Sequence, residues 1–306
     1  MPSGVVHSYF AERVTEGLKP EILKIIEADK EAYLVGSQGP DLLFYLRYEK
    51  KPLDQLAVMQ HQTFNAYEIF TKSGGYVKEN YDDTLLAFLF GQLCHYALDS
   101  NVHPYVYHRE LDLPNYYTKG AHKYIHVVLE SGMDYLCVRD HIKKNTRTYK
   151  GYKNLNISKK SRNKIAHYYS DVVAPVFEMN LPVETAEKMI KLMRRFLRLC
   201  DDMTGIRYLL IRGVEKLLGQ PRNVSAFVRA RKENKEENWL NNDRVPFPKY
   251  RYEEIMSTDT VEEMAKTAHG EAIILINSLY DFVFNDKELD PRLFNRNYLG
   301  ARKIKD

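Results

Sequence analysis

The chain has 306 residues, of which 44% are hydrophobic and 28% are charged, and its formal net charge is +4. These shares are those of a soluble globular protein, and the mild positive charge does not by itself indicate nucleic acid or a membrane as partner. The length allows one large domain or two modest ones, and one domain is preferred because apolar helical patterns continue on both sides of the polar segments.

The cysteines and the N-terminal sequence favour a reducing compartment. Cys94, Cys137 and Cys200 are odd in number and form no CxxC pair, so no disulfide framework is predicted. Residues 1–10 lack the basic patch and apolar run of a signal peptide, and the apolar stretch Leu85–Phe90 is far too short to span a membrane. A cytoplasmic location is therefore expected.

Helical periodicity runs through almost the whole sequence, and strand patterns are nearly absent. The prediction is an all-α fold, a single-domain multi-helix bundle over residues 1–306, with a helical C-terminal half at 160–290. Gly205 could break the sixth helix, and Thr258 or Asp259 could cap the last one. The predicted helices are Pro20–Leu34, Leu53–Lys72 closed by Gly74 and Gly75, Thr84–Asp99, Gly120–Ile142, Ser161–Met179, Val183–Leu218 and Thr260–Phe284.

Two segments are predicted to be long loops. Lys143–Lys164 contains nine Lys or Arg residues and no acidic residue, and Ala230–Tyr250 is polar and contains the only tryptophan, Trp239. The basic segment could attract an anionic lipid surface or a nucleic acid, but such runs are more often solvated loops. Because no aromatic-rich nucleic-acid motif accompanies it, the sequence disfavours nucleic acid as a partner.

The third predicted helix carries His95 and Asp99 four residues apart, which places both side chains on one face. Ser100 and Asn101 are expected to end that helix, after which His103 would return towards the same end. Buried carboxylates and imidazoles are costly unless they are paired or bind a metal. The segment therefore raises the question of a metal site.

The fourth predicted helix repeats this pattern. Four polar residues follow one another at four-residue steps, and the apolar residues around them indicate that the polar stripe faces inward; they are His122, His126, Glu130 and Asp134. A single pair of this kind is more often a surface pair or a capped helix end. Two pairs on strongly apolar helices favour a metal site, and imidazole and carboxylate ligands without thiolate suit zinc or another divalent ion.

Three further candidates have a simpler explanation when each is taken alone. Asp41 follows Gly39 and Pro40 at the start of a helical run, where an acidic residue favours the helix dipole. His61 lies in the middle of a predicted helix, where a histidine is usually packed or exposed. His7 lies close to the N-terminus and has no obvious partner in sequence.

Three segments together resemble the zinc-dependent phospholipase C family, whose superfamily also contains zinc-dependent nucleases. They are GPDLLFY, HYALDSNVHPYV and HVVLESGMD. The order of the motifs agrees as well: an early His, then PD, a His, HxxxD, a following His and HxxxE. The resemblance runs from His7 to Asp134, within which all the metal motifs lie, with weaker similarity near Asn242 and at the final NRNYLGAR.

The resemblance implies an all-α domain around a cluster of two or three zinc ions. By this resemblance one ion would bind Asp41, His61, His95 and Asp99, a second would bind His103, His126 and Glu130, and a third would bind His7 and share Asp99. Asp134 would orient a ligand histidine, and His122 would either do the same or lie exposed on the surface. Secreted members begin, after processing, with a tryptophan that completes the third site, whereas this sequence reads Met1-Pro2-Ser3, so the third site is in question.

The function implied is hydrolysis of a phosphodiester, such as a phospholipid, by water that the metals activate. Asp41, at the rim of the site, is the candidate catalytic residue that orients or deprotonates this water. Two alternatives stay open: a non-catalytic protein stabilised by metals, and a zinc-dependent nuclease. The sequence leaves the substrate and the oligomeric state undecided, and a membrane surface is compatible with it as a partner.

Overall fold

The structure is a computed structural model, and it describes residues 4–48, 53–113, 122–220, 224–230 and 232–303. The side chains of residues 48, 112, 122–124 and 236 fall outside this description. Twelve α-helices dominate the described part, so the predicted all-α class is confirmed. They are α1 (Gly4–Val14), α2 (Pro20–Ala28), α3 (Lys30–Gly36), α4 (Gln55–Gln62), α5 (Ala66–Glu79), α6 (Asp83–Asp112), α7 (His122–Leu136), α8 (Lys159–Tyr168), α9 (Ala174–Val176), α10 (Val183–Cys200), α11 (Ile206–Leu217) and α12 (Val261–Phe284).

Shorter elements join these helices. A two-stranded antiparallel ladder pairs β1 (Phe247–Pro248) with β2 (Met256–Ser257), and the sequence patterns gave no sign of it. Two π-helical turns, Cys137–His141 and Tyr169–Val173, extend α7 and α8. The 3₁₀ helices in the described part of the chain are Thr15–Gly17, Gly39–Tyr48, Gly151–Leu155, Val224–Phe227, Lys235–Glu237 and Pro291–Phe294. None of the helices in the described ranges is long and apolar enough to cross a bilayer.

Helix α6 is the centre of the fold. All of its residues from Leu85 to Ser100 are buried, and α3 and α12 pack along its length. α3 approaches so closely that a Cβ on Gly36 would lie 2.1 Å from the carbonyl oxygen of Phe88. This contact brings the loop after α3, with Ser37 and Gly39, against the buried face of α6.

Two of the predicted helices are each divided in two. Asp29 separates α2 from α3 because its side chain accepts a hydrogen bond from the Ala32 N–H (3.0 Å) and so begins a new helix. The predicted helix Leu53–Lys72 is divided into α4 and α5. Its predicted end at Gly74 and Gly75 is wrong, since α5 continues to Glu79. Gly74 is instead a packing site, where a Cβ would lie 2.6 Å from Phe282 Cδ1 on α12.

The predicted end of the third helix at Ser100 and Asn101 is also wrong. Both side chains hydrogen-bond back to the carbonyl oxygen of Ala97, at 3.3 and 2.8 Å, as residues within a helix can do, and α6 continues through Pro104 to Asp112. His103 therefore lies on the helix itself, one turn beyond Asp99, and not on a returning loop.

The C-terminal helices follow the sequence more closely. The break that Gly205 could make is present, with this glycine in the left-handed region (φ +82°) between α10 and α11. The cap of α12 is Thr260, not Thr258 or Asp259, because Thr260 and Glu263 form a reciprocal capping box. Lys143–Lys164 is mainly loop, with one 3₁₀ turn and the first turns of α8, which begins at Lys159.

Candidate metal centre

One face of α6 provides the central donors of the site. His95, Asp99 and His103 stand on successive turns and are buried. Asp99 Oδ2 lies 2.9 Å from His95 Nε2 and 3.6 Å from His103 Nδ1. Asp99 is thus the carboxylate to which the other donors converge.

The 3₁₀ helix after α3 and helix α4 bring two more donors to this face. His61 Nε2 lies 3.4 Å from Asp41 Oδ1 and 4.0 Å from Asp99 Oδ2. Gly39, two residues before Asp41, is in the left-handed region (φ +52°), and a Cβ there would lie 2.3 Å from His95 Cδ2. The His95 ring therefore lies directly against the backbone that positions Asp41.

Helices α1 and α7 complete the cluster. His7 of α1 stacks on His95, with ring centroids 4.2 Å apart, and its Nε2 lies 3.3 Å from Asp99 Oδ1. On α7, His126 Nε2 lies 3.0 Å from Glu130 Oε1, and His103 Nε2 lies 3.6 Å from the same oxygen. Helices that are distant in sequence thus bring all eight candidate ligands of the sequence into one buried cluster.

The donor atoms fall into three groups, within each of which all atoms lie within 4.8 Å of one another. The group of His103, His126 and Glu130 matches the set that the resemblance implies, whereas the other two groups share His95 where the resemblance shares Asp99. The groups are His7, His95 and Asp99; Asp41, His61 and His95; and His103, His126 and Glu130.

Backbone carbonyl groups fix the orientation of three of the imidazole rings. Their Nδ1 atoms lie 2.7–3.0 Å from carbonyl oxygens, in the pairs His61 with Ala57, His95 with Ser37, and His103 with Tyr298. A carbonyl oxygen only accepts hydrogen bonds, so each Nδ1 carries a proton and donates it. In the neutral ring the Nε2 lone pair is then left facing the carboxylates.

This arrangement fits zinc. A lone pair that faces a carboxylate oxygen is unfavourable unless a proton or a cation lies between them. His95 Nε2 is buried and has no hydrogen-bond partner in the described part of the chain, even though Asp99 Oδ2 is 2.9 Å away. Histidines that donate through Nδ1 and present Nε2 are typical zinc ligands, and the nitrogen and oxygen donors are those that zinc accepts.

Burial and neighbouring groups set the protonation states of Asp99 and His7. Burial alone would raise the pKa of Asp99, but the nearby histidines His103, His95 and His7 hold the pKa well below its usual value. Burial and the neighbouring His95 together lower the pKa of His7, which favours the neutral ring that a metal needs. Asp99 is therefore ionised and His7 is neutral at neutral pH.

Two contributors were not foreseen from the sequence. Glu110 of α6 has its Oε1 3.2 Å from His126 Nδ1, the position of a carboxylate that orients a metal-binding histidine. Although burial opposes protonation, Glu130 and Glu110 together raise the pKa of His126 to about 10. Tyr298, in the C-terminal NRNYLGAR segment, provides the carbonyl group that fixes His103.

The residues expected to orient ligands have different outcomes. Asp134 was predicted to orient a ligand histidine, and this prediction is wrong. The Asp134 Oδ1 atom instead accepts hydrogen bonds from the Val5 and Val6 N–H groups, at 3.2 and 2.9 Å. Asp134 thus anchors the N-terminus of α1 and positions His7 only through that helix. The side chain of His122 and residues 1–3, on which the question of the third site depends, lie outside the described part of the chain.

The cluster can be approached from two sides. A cavity of about 320 Å³ is lined by Asp41, His61, His103 and His126 together with Arg47 and Tyr107. A second cavity, of about 430 Å³, reaches His7, Asp99, His103 and Glu130 between mainly apolar walls. A purely structural zinc site is closed by its four protein ligands, whereas a catalytic one keeps an open position. The cavities provide the access that the second kind requires.

The contact between Glu110 and His126 gives a first prediction. Glu110→Gln keeps the shape of the side chain but removes the negative charge that supports His126, so we expect zinc affinity at this group to fall about tenfold to hundredfold. Competition with a chromophoric chelator measures this affinity. The matched control is Glu262→Gln, which changes an exposed glutamate 3.6 Å from His141 and should leave the affinity unchanged. If both variants and the wild type bind zinc with equal affinity, Glu110 does not support zinc binding at His126.

Comparison with known protein families agrees with this geometry. A family model described as zinc dependent phospholipase C matches residues 6–177, more than half of the chain. The matched range contains all eight candidate ligands and Glu110, and it ends before α10. No curated protein and no solved structure matches the chain significantly.

Proposed function

Because the chain belongs to the zinc-dependent phospholipase C family, we propose that it is a zinc-dependent phosphodiesterase with phospholipids as its substrate class. The observation that carries this proposal is the convergence of eight nitrogen and oxygen donors beside two open cavities. His61, His95 and Asp41 would hold one ion, His103, His126 and Glu130 a second, and His7 with Asp99 a third.

When bound, the zinc ions would supply Lewis acidity that lowers the pKa of water and stabilises charge on the phosphoryl oxygens. The chain's own residues would do the rest. Asp41, which lines the smaller cavity, is proposed to orient the attacking water and accept its proton. Arg47 lines the same cavity and carries a charge suited to a phosphoryl oxygen.

Tyr107 provides a neutral hydrogen-bond donor beside these groups. Burial raises the pKa of this phenol, so it stays protonated, and the guanidinium carbon of Arg251 lies 3.7 Å from the centroid of its ring. A fixed phenol O–H beside His103 and His126 is suited to bind a phosphoryl oxygen.

The larger cavity supports a substrate with an apolar part. Its walls next to Asp99 and His103 are formed by Phe10, Leu98, Val102, Val106 and Met133. Apolar walls beside a charged cluster suit an ester that joins a phosphate to a hydrocarbon, and they suit a nucleic-acid backbone less well. The nuclease and the non-catalytic metal-stabilised protein are therefore the second and third candidates. We also propose that the protein is located in the cytoplasm.

Hydrolysis by the zinc-loaded protein tests the proposal. We expect release of phosphorylated head group from a short-chain phosphatidylcholine below its micelle concentration, loss of this activity with a chelator, and its return when zinc is added back. Single-stranded DNA, measured in parallel, tests the nuclease reading. Zinc binding without hydrolysis of either substrate would favour the non-catalytic protein and contradict the proposed function.

A further inference from the structure

The C-terminal end of α10 and the whole of α11 present an unusual number of apolar side chains to solvent. Of the seventeen exposed large hydrophobic residues in the described part of the chain, nine lie between residues 199 and 224. Leu217 is 87% exposed, Leu209 69% and Leu210 65%. Single exposed apolar residues need no explanation, but a contiguous patch of this kind marks an interaction surface.

The exposed side of α11 carries an apolar stripe, and the buried residue on its other side is a glutamate. Ile206, Leu210, Val214 and Leu217 are spaced as one helical stripe, and all are exposed. On the opposite face Glu215 is buried and accepts hydrogen bonds from the Ser225 N–H (2.9 Å) and hydroxyl (2.6 Å). Relative to an ordinary surface helix, α11 is therefore inverted.

The acidic groups of this region are engaged within the protein. Asp201 pairs with Arg229 at 2.7 Å. Asp202 accepts hydrogen bonds from the Gly205 and Tyr208 N–H groups, at 2.9 and 2.8 Å, in the first turn of α11. Together with the buried Glu215, they leave the outer surface without an exposed acidic side chain between residues 194 and 220.

Basic side chains flank the apolar stripe. Arg195, Arg198, Arg207 and Lys216 are exposed, and none of them forms an ion pair with an acidic side chain within the described ranges. The Arg207 guanidinium donates to the carbonyl oxygens of Arg198 and Leu199, at 3.4 and 3.3 Å, and so joins α11 to the end of α10. The surface thus combines an apolar ridge with unneutralised positive charge.

We propose that α11 and the end of α10, residues 194–218, form an interfacial surface that binds an anionic lipid bilayer. Helices that lie in a membrane interface bury an apolar face and carry Lys and Arg beside it, where the negative surface potential attracts them. A second copy of the chain is a poorer partner. A two-fold contact through this face would bring its own positive flanks together without acidic residues to pair with them.

A hydrogen-bonded link joins α11 to the wall of the smaller cavity. Glu215 fixes Ser225, and two residues later Phe227 lines the cavity that contains Asp41, His61 and His126. Residues 194–218 lie beyond the family match at 6–177, and the inference concerns binding, so it stands apart from the proposed phosphodiesterase activity.

Co-sedimentation with phosphatidylcholine vesicles, with and without phosphatidylserine, tests the inference. We expect the full-length protein to bind the vesicles that contain phosphatidylserine, and less strongly as salt is raised. The double variant Leu210→Gln/Leu217→Gln should lower the partition coefficient at least about tenfold, because two leucines no longer enter the interface. Arg198→Gln/Lys216→Gln should lower it roughly twenty-fivefold, from about fivefold per charge.

The same sedimentation assay provides a control variant and the results that would contradict membrane binding. Ile274→Gln changes a 54%-exposed residue of α12 outside the surface and should bind like the wild type. Equal binding of all variants, or no binding by the wild type, would overturn the inference. So would a dimer, detected by light scattering, that the leucine variant dissociates. Sedimentation does not depend on turnover, so a zinc-loaded protein that binds vesicles but fails the hydrolysis test would refute the proposed function and leave this inference intact.

Discussion

Asp99→Asn is expected to remove at least one metal ion from the cluster and to lower phosphodiester hydrolysis by at least about a thousandfold. Asp99 lies within 4.0 Å of a ring nitrogen of each of four histidines, His7, His61, His95 and His103. The amide keeps the size of the side chain but loses the negative charge and one of the two carboxylate oxygens that would hold the metal. Elemental analysis and the hydrolysis rate measure the two effects.

The matched control for this variant is Asp140→Asn. Asp140 is an exposed aspartate that pairs with Arg139 and belongs to none of the three donor groups. It should retain full metal content and activity. Because Asp99 is buried, circular dichroism must show that Asp99→Asn is still helical. A folded Asp99→Asn protein with wild-type zinc content and rate would refute the role of Asp99 as the centre of the site.

Gly39→Ala is expected to damage both stability and metal binding, although Gly39 offers no ligand. Its methyl group would lie 2.3–2.4 Å from the His95 ring, in a backbone conformation (φ +52°) that only glycine adopts without cost. His95 cannot move away easily, since the Ser37 carbonyl group and the stacked His7 ring hold it. We expect a loss of about 2–5 kcal/mol in the free energy of unfolding, from backbone strain and overpacking together.

Gly75→Ala is the matched control for Gly39→Ala. Gly75 lies within α5, and an added Cβ would meet nothing within 4 Å. Alanine has the higher helix propensity, so this variant should be neutral or more stable by up to about 1 kcal/mol. Urea denaturation of the zinc-loaded protein compares the two. A Gly39→Ala protein as stable as Gly75→Ala, with unchanged zinc affinity, would contradict the described contact with His95.

The sequence was sufficient to predict the class of fold and the eight candidate ligands, for different reasons. Apolar periodicity predicted most helices because it depends only on local spacing. The pairs His95 with Asp99 and His126 with Glu130 were visible because four-residue spacing on an apolar helix is a local pattern too. The grouping of these pairs with His7, Asp41 and His61 came from the family resemblance, since it depends on how distant helices pack.

The misplaced end of α6 explains why Glu110 was overlooked. Because this helix was expected to end at Ser100 and Asn101, there was no reason in the sequence to place Glu110 on the same helical face as His103. The continuous helix puts Glu110 seven residues, about two turns, beyond His103 and on the same face. The polar residues before Pro104 suggested a stop, but their side chains bond back to the carbonyl oxygen of Ala97.

Other parts of the site depend on tertiary contacts that a single sequence does not reveal. Tyr298 reaches His103 through its backbone carbonyl group, and any residue type could have provided that group. Asp134 has the spacing of a further ligand on α7, but the N-terminus of α1 takes up its carboxylate. The inverted face of α11 was hidden for a similar reason, because its apolar periodicity is that of an ordinary packed helix.

Zinc-edge anomalous diffraction from crystals of the zinc-loaded protein would locate the metal ions directly. We expect at least two strong anomalous peaks within the cluster, one bounded by Asp41, His61, His95 and Asp99 and another by His103, His126 and Glu130. The absence of peaks at these positions, with zinc only on exposed side chains or with none bound, would contradict the proposed metal centre.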